Sequence, residues 1–292
     1  MRLAPLSRRT AGVVSVLASL GAAAALALAP SAAAADVAAW APADTAEITP
    51  GVQMYTQGAQ CTGNFVFRDG AGNTYVGYAA HCAGTGEATD TNGCDAASLP
   101  LGTRVTFARG GSLLSEGTAV GEGTLAYSSW LTMQQRDESD ENTCAYNDLA
   151  LVKVDADDVS KVNPSVPFWG GPVAVNTDGS ATGDRVYSFG SSSLRAGAEQ
   201  LSPKTGISLG SEAGGWSHPV YTLTPGVPGD SGSAFLDADG NALGTLSTLA
   251  LAPLAGSNGV GDLHHELTYA QQHGDISGLS LVPGTEPFSP IL

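Results

Sequence analysis

Three residue types that together support acyl transfer are spread widely along this chain. A histidine stands in Tyr78-Ala79-Ala80-His81-Cys82, an aspartate precedes the apolar run Leu149–Val152, and a serine stands in Gly229-Asp230-Ser231-Gly232. A serine hydroxyl becomes a nucleophile when a neighbouring base takes its proton, and the pKa of histidine suits that task near neutral pH. A carboxylate must then fix the tautomer of the imidazole, and backbone N–H groups must stabilise the oxyanion. His81, Asp148 and Ser231 are therefore candidates for base, orienting acid and nucleophile.

Each of these residues also has a purely structural explanation. A histidine beside a cysteine is often structural, an aspartate can begin a strand, and glycines around a serine can form a plain turn. Their order along the chain, His then Asp then Ser, is nevertheless one of the known arrangements of this triad. The segment Gly229–Ser233 lacks the Gly-x-Ser-x-Gly pattern of α/β-hydrolases, which also require the order Ser, Asp, His. The combination favours nucleophilic catalysis on a different fold.

Short apolar segments separated by turn sequences predict an all-β protein, either a sandwich or a barrel. Turn signals include Asp69-Gly70 and Asp239-Gly240-Asn241. One helix is predicted, from about Leu263 to His273, and Gly274 should end it. The predicted strands are Gly63–Arg68, Thr74–Ala79, Arg104–Ala108, Leu149–Val154, Arg185–Ser188, Ser233–Leu236 and Ala242–Thr248.

The first 35 residues have the features of a secretory signal, with arginines before an apolar run and alanine-rich cleavage sites after it. We therefore expect a secreted protein with no membrane anchor after cleavage. An even number of cysteines in an exported chain indicates disulfides, and four cysteines allow three pairings. No C-x-x-C spacing is present, so a zinc cluster is not expected, and we predict neither a metal nor another cofactor. The four residues are Cys61, Cys82, Cys94 and Cys144.

The chain is strongly acidic, with 28 Asp and Glu against 12 Lys and Arg and a formal net charge of −16. Such a surface repels phosphate groups, so nucleic acid is not an expected partner. The acidic segment Asp137–Glu141 could bind calcium in a wall or matrix protein, but a solvated loop is the simpler interpretation. The segment Asp237–Asn241 begins like a calcium loop, yet the positions that need glycine and glutamate hold Ala242 and Thr248, so a hairpin turn is predicted.

The motifs resemble those of the chymotrypsin/trypsin-like serine proteases, and in particular the secreted actinobacterial enzymes of the streptogrisin type. The matching segments are Ala79–Cys82, Asn147–Leu151 and Gly229–Gly232, and the resemblance spans roughly Ile48 to Val282. It implies two antiparallel six-stranded β-barrels with an active site in the cleft between them, and a short C-terminal helix. It also implies a serine endopeptidase that cleaves protein or peptide substrates through an acyl-enzyme.

The resemblance also implies roles for individual residues. His81, Asp148 and Ser231 would form the triad, and the N–H groups of Gly229 and Ser231 would form the oxyanion hole. Asp230 would hold the Ser231 turn from beneath, and a bond from a freed amino terminus to Asp230 stays an open question. The implied disulfides are Cys61–Cys82 and Cys94–Cys144.

We expect a monomer with a signal peptide at 1–35, a short pro-segment or linker at 36–47, a first barrel at 48–165 and a second at 166–292. The expected pocket segments 224–228 and 246–248 contain no acid, which favours an apolar or small residue before the scissile bond over Lys or Arg. His264 or His265 could instead recognise an acidic residue there. A catalytically silent relative that binds a partner is the alternative to an active enzyme.

Overall fold

The protein is built mainly from antiparallel strands, and the computed structural model describes residues 39–86, 92–250 and 257–290. The predicted signal peptide lies outside the described residues. Among these residues no helix is long and apolar enough to cross a membrane. The helices are α1 Ser129–Gln135, α2 Glu141–Tyr146 and α3 Leu263–His273. The strands are β1 Gln53–Thr56, β2 Ala59–Thr62, β3 Val66–Arg68, β4 Thr74–Ala79, β5 Arg104–Arg109, β6 Thr118–Ser128, β7 Leu149–Val154, β8 Thr182–Phe189, β9 Pro203–Leu209, β10 Ser217–Leu223, β11 Ala234–Leu236, β12 Ala242–Ala250, β13 Ser257–Asp262 and β14 Ser280–Leu281.

The strands form two sheets, and the second closes into a barrel in the order β10-β13-β12-β11-β8-β9. This is the six-stranded antiparallel barrel predicted for the C-terminal half. The first sheet has eight strands in the order β14-β3-β4-β7-β6-β5-β1-β2, rather than the six expected. The C-terminal strand β14 accounts for part of the difference, because it returns after α3 and pairs with β3 through Ser280 and Arg68. The architecture otherwise fits a chymotrypsin-like double barrel.

Three apolar clusters form the core, and one of them contains side chains from both sheets. In β7, Ala150 and Val152 pack into the core of the first sheet, whereas Leu149 and Leu151 face a second cluster. That second cluster also contains apolar residues of β11 and α3, including Leu236, Leu263 and Leu267. Because successive side chains of a strand point to opposite faces, one strand can serve both clusters. A third cluster, with Phe235 and Val260, fills the closed barrel.

The predicted helix is confirmed over Leu263–His273, but α1 and α2 were not predicted. These two helices have seven and six residues, too short for a clear apolar period. Both have side-chain caps, since Ser128 accepts a hydrogen bond from the Leu131 N–H and Asp140 accepts one from the Thr143 N–H. Part of the acidic segment at 137–141 therefore begins a helix. Asp237 instead shapes the turn between β11 and β12, as predicted, by accepting hydrogen bonds from the N–H groups of Asp239 and Asn241.

Residues 39–47, within the predicted pro-segment or linker, pack against the rest of the chain. The Ala41 N–H donates to the carbonyl of Val162 at 2.9 Å, and the Arg68 guanidinium lies 4.0 Å from the centre of the Trp40 ring. Ile48 is fully buried and its N–H donates to the carbonyl of Lys161. The segment from 155 to 181 then connects β7 of the first sheet to β8 of the second.

Candidate active site

Antiparallel pairing brings His81 and Asp148 together. Strand β4 pairs with β7 so that Ala79 lies opposite Leu149, and β4 continues directly into a 3₁₀ turn at Ala80–Ala83. The Ala80 N–H donates to the carbonyl of Asp148 at 2.7 Å. The register therefore places the residue before β7 beside the residue in the turn after β4. The 67 residues between the two side chains along the chain do not separate them in space.

The Asp148 carboxylate contacts His81 through both of its oxygens. Its Oδ2 lies 2.7 Å from His81 Nδ1, and its Oδ1 accepts a hydrogen bond from the His81 backbone N–H at 2.8 Å. Ser247, on β12 of the second sheet, donates from Oγ to Oδ2 at 2.6 Å. The Asp148 side chain is 5% exposed and that of His81 is 26% exposed. We therefore assign the Nδ1 proton to the carboxylate contact, which leaves Nε2 as the basic nitrogen.

Any reaction that uses His81 as a general base should slow in acid, because the imidazole takes up a proton. Burial lowers the pKa of His81, but the charge of Asp148 and the hydrogen bond to it outweigh burial, so the pKa lies above its ordinary value of 6.5. Only the neutral imidazole can accept a proton from serine, so kcat/KM should fall about tenfold per pH unit below this raised pKa. A pH profile of kcat/KM checks this. An acid limb centred below 6.5 would contradict the assigned coupling of His81 to Asp148.

Ser231 reaches the same region from the second half of the chain. Its carbonyl accepts a hydrogen bond from the Thr62 N–H at 2.8 Å, and Thr62 follows Cys61, which is joined by a disulfide to Cys82 beside His81. A Cβ atom at Gly232 would lie 3.0 Å from the backbone nitrogen of Ala79, so only glycine lets the serine turn approach the end of β4 this closely. Ser231 is partly exposed. These backbone contacts place the Ser231 turn against Thr62 and against the end of β4, which leads into the His81 turn.

Among the hydrogen bonds of the described residues, none joins the Ser231 hydroxyl to the His81 ring. Such bonds are often long or poorly aligned without substrate, so their absence does not exclude the pairing. The N–H groups of Gly229 and Ser231 also have no protein acceptor within the described ranges. The Gly229 carbonyl accepts hydrogen bonds from Thr62 Oγ1 at 2.7 Å and from Gln60 Nε2 at 3.0 Å. The oxyanion hole stays a prediction with its two donors unoccupied.

Two buried cations hold Asp230, the residue between the two predicted oxyanion donors. Arg195 binds it through both guanidinium nitrogens, with Nη2 lying 2.5 Å from Oδ2, and Lys204 Nζ lies 3.0 Å from Oδ2. Burial raises the pKa of Asp230, but the bonds and charges of Arg195 and Lys204 lower it more, and the result lies below 3.8. The carboxylate of Asp230 also accepts N–H bonds from Ser192 and Val227. Asp230 is therefore held by two cationic side chains and two backbone N–H groups of the described residues.

Sequence reasoning missed most of these supporting residues. Arg195 and Lys204 lie in polar segments that carry no strand signal. Only composition points to them, because so acidic a chain contains few cationic residues. Ser247 was predicted as a pocket wall, whereas its hydroxyl binds Asp148. Glu266 was read only as part of a helix, yet it is fully buried and touches the backbone of Asp148. No local sequence pattern predicts these contacts.

A second histidine–aspartate pair lies at the start of α3. His218, which has no exposed surface, places Nε2 2.8 Å from Asp262 Oδ2. His265 places Nδ1 2.7 Å from Asp262 Oδ1 and packs against Trp216 with 4.9 Å between ring centres. The Asp262 side chain also caps α3 by accepting from the His265 N–H. These contacts give His265 a structural role at the helix start, the simpler of the two interpretations.

The two disulfides pair as the resemblance implies. Cys61 is bonded to Cys82, with 6.1 Å between their Cα atoms, and Cys94 is bonded to Cys144, with 5.2 Å. The first disulfide joins the His81 turn to β2, and the second joins α2 to the segment before β5. The sulfur atoms of Cys61 and Cys82 lie within 4.8 Å of a His81 ring nitrogen. That spacing would suit a metal, but sulfurs in a disulfide offer no thiolate ligand.

Comparisons with known proteins find likeness in structure alone. No family model matches the chain, and no curated protein matches its sequence. The chain is similar to Thermobifida fusca protease A, at 20% identity and a TM-score of 0.49 over 81% of this chain and 99% of that chain. It is also similar to Nocardiopsis protease, at 18% identity and 0.45 over 80% and 98%, and to Cellulomonas bogoriensis chymotrypsin, at 18% and 0.44 over 80% and 98%. These solved structures are chymotrypsin-like serine proteases.

Proposed function

We propose that this chain is a secreted serine endopeptidase that hydrolyses peptide bonds through Ser231, His81 and Asp148. The observation that carries the proposal is the 2.7 Å contact between a buried carboxylate and a partly exposed imidazole, with the Ser231 turn packed beside them. A buried carboxylate that binds one histidine through both oxygens orients a base.

In the proposed reaction the Ser231 oxygen attacks the carbonyl carbon of the scissile bond while its proton passes to His81 Nε2. The new bond joins Oγ to carbon, and the oxyanion that forms binds the N–H groups of Gly229 and Ser231. His81 then gives the proton to the leaving amine as the carbon–nitrogen bond breaks. Water, activated by His81 in the same way, releases the acid and restores the serine. Asp148 keeps its charge throughout and stabilises the imidazolium.

The substrate is a protein or peptide, and the enzyme acts alone outside the cell. The predicted pocket segments 224–228 and 246–248 contain no charged side chain, and buried Asn258 accepts a hydrogen bond from the Gly226 N–H at 3.2 Å. A neutral pocket favours a small or apolar residue before the scissile bond. Residues 251–256 lie outside the described residues.

The test is labelling with a fluorophosphonate probe, followed by peptide mapping and by cleavage of a peptide library. We expect one label, on the peptide that contains Ser231, and loss of library cleavage in proportion to labelling. Fragment-ion sequencing of that peptide separates Ser231 from Ser233, whose hydroxyl donates to the carbonyl of Asp230 and is buried. A protein that takes no label and cuts no peptide would instead be the silent binding relative. The pH profile of cleavage comes from the same samples.

A further inference from the structure

Glu266 is a carboxyl group with no exposed surface that the proposed reaction does not use directly. It lies in the first turn of α3, and its Oε1 accepts a hydrogen bond from the backbone N–H of Asp148 at 3.0 Å. The two residues are 118 positions apart in the chain. A buried carboxyl group is costly unless its contacts repay desolvation, so this placement calls for a reason.

We propose that Glu266 is a positioning residue of the triad, which holds the peptide of Asp148 so that its carboxylate faces His81. This inference rests on the proposed function. Asp148 stands just before β7, so its N–H lies outside the strand ladder and needs another acceptor. Glu266 binds the N–H, Ala80 binds the carbonyl, and His81 with Ser247 binds the carboxylate. Every polar group of Asp148 is thereby held, and its side chain has one orientation.

The surroundings of Glu266 favour a neutral acceptor. Burial and the nearby charges of Asp148 and Asp262 raise the pKa of Glu266 well above 4.5, and the hydrogen bonds from Asp148 and Thr245 reduce this only in part. Tyr127 also interacts electrostatically with Glu266. A neutral Glu266 carboxyl accepts the Asp148 N–H without adding a negative charge to those of Asp148 and Asp262. The charge of Asp148 is then left to act on His81.

The space for this carboxyl is built by other elements. A Cβ atom at Gly261 would lie 2.7 Å from Glu266 Oε1, so the glycine in β13 makes room for the side chain. Thr245 on β12 lies near Glu266 and accepts a hydrogen bond from Asn64 Nδ2 at 3.1 Å, and both residues are fully buried. The second oxygen of Glu266, Oε2, is buried and has no hydrogen-bond partner among the described residues. Buried polar side chains of both sheets thus lie beside the contact between Glu266 and Asp148.

The test compares Glu266→Gln, which keeps an acceptor oxygen, with Glu266→Leu, which has similar size and no acceptor. On a peptide substrate, Glu266→Leu should lower kcat by roughly 10- to 100-fold with KM little changed, because one buried donor at the triad loses its partner. Glu266→Gln should stay within about threefold of the wild type, since a neutral acceptor replaces a neutral acceptor. Its acid limb of kcat/KM should not move. Gln272→Leu, on the exposed face of the same helix, is the control and should behave as the wild type.

Two results would overturn the proposal: a folded Glu266→Leu protein with wild-type kcat, or an acid limb that Glu266→Gln moves down by about half a pH unit or more, the mark of a lost negative charge near His81. If Glu266→Leu does not fold, Glu266→Ser, too short to reach the Asp148 N–H, takes its place. Melting curves of wild type and Glu266→Gln then supply a further check.

The raised pKa means that the native state holds a proton that the unfolded chain releases, so native stability falls as pH rises from 4.5 towards the folded pKa. The wild type should therefore lose melting temperature relative to Glu266→Gln as pH rises above the ordinary pKa of 4.5. Parallel curves would show an ionised Glu266 and reject the neutral acceptor. Failure of the proposed function looks different, because the wild type would then neither label nor cleave, whatever stands at position 266.

Discussion

Ser231→Ala should lower kcat for peptide hydrolysis by about 10⁴- to 10⁶-fold while the protein stays folded. The hydroxyl is the only group of Ser231 that the variant loses, and the hydrogen bond of its carbonyl to Thr62 is kept. KM should change little, because the oxygen contributes to bond formation rather than to ground-state binding. The measurement is single-turnover and steady-state cleavage of a peptide from the library, with circular dichroism to confirm the fold.

Ser277→Ala is the matched control for this experiment. Ser277 is exposed and lies just before β14, so removal of its hydroxyl should leave kcat at the wild-type value. A Ser231→Ala protein that keeps even a tenth of wild-type activity would mean that another group is the nucleophile. Hydrolysis that survives in both variants after the same purification would point to a contaminating protease.

Arg195→Met should destabilise the native state by about 3–5 kcal/mol, because it leaves a buried carboxylate with one cation instead of two. The side chain of Asp230 has no exposed surface and that of Arg195 is 9% exposed, so solvent screens their attraction only weakly. Lys204 stays at 3.0 Å, but a single ammonium does not replace the two guanidinium contacts that Arg195 makes with the carboxylate. The value comes from urea unfolding of each variant.

The same change should reduce kcat by about 10²- to 10³-fold, because Asp230 sets the backbone between the predicted donors of Gly229 and Ser231. Stability should also become more sensitive to acid. The pKa of Asp230 lies below 3.8 in the native state, so its contribution is present above 3.8 and is lost as pH falls through the lower native value. Without Arg195 that pKa rises, and acid unfolding should begin at higher pH.

Arg104→Met is the matched control, since Arg104 also binds acids with both guanidinium nitrogens but at the surface. Its side chain is 51% exposed and pairs with Glu122 and Asp155. Screening by solvent should keep its cost below about 1 kcal/mol and leave kcat unchanged. Equal losses of unfolding free energy in Arg195→Met and Arg104→Met would show that burial does not determine the strength of the Asp230 ion pairs.

Local sequence predicted the elements that carry strong local signals. The limits of β4, β7 and α3 match the prediction, because the two strands are apolar runs and α3 has Asp262 as its cap and Gly274 at its end. Strand β13 was missed, since its sequence SNGVGD contains two glycines and only one apolar side chain. It forms because β10 and β12 pair with it on both sides and close the barrel.

The sequence by itself determined which chemistry this chain can attempt: one histidine, one aspartate and one serine in a recognisable order, with cysteines that can brace them. Only the tertiary structure decided which partners orient and stabilise those residues. Ser247, Arg195 and Glu266 meet their carboxylates or peptides across 99, 35 and 118 residues. Such meetings depend on strand register, barrel closure and the burial of charge, which are collective properties of the packed chain. No spacing along the polymer encodes them.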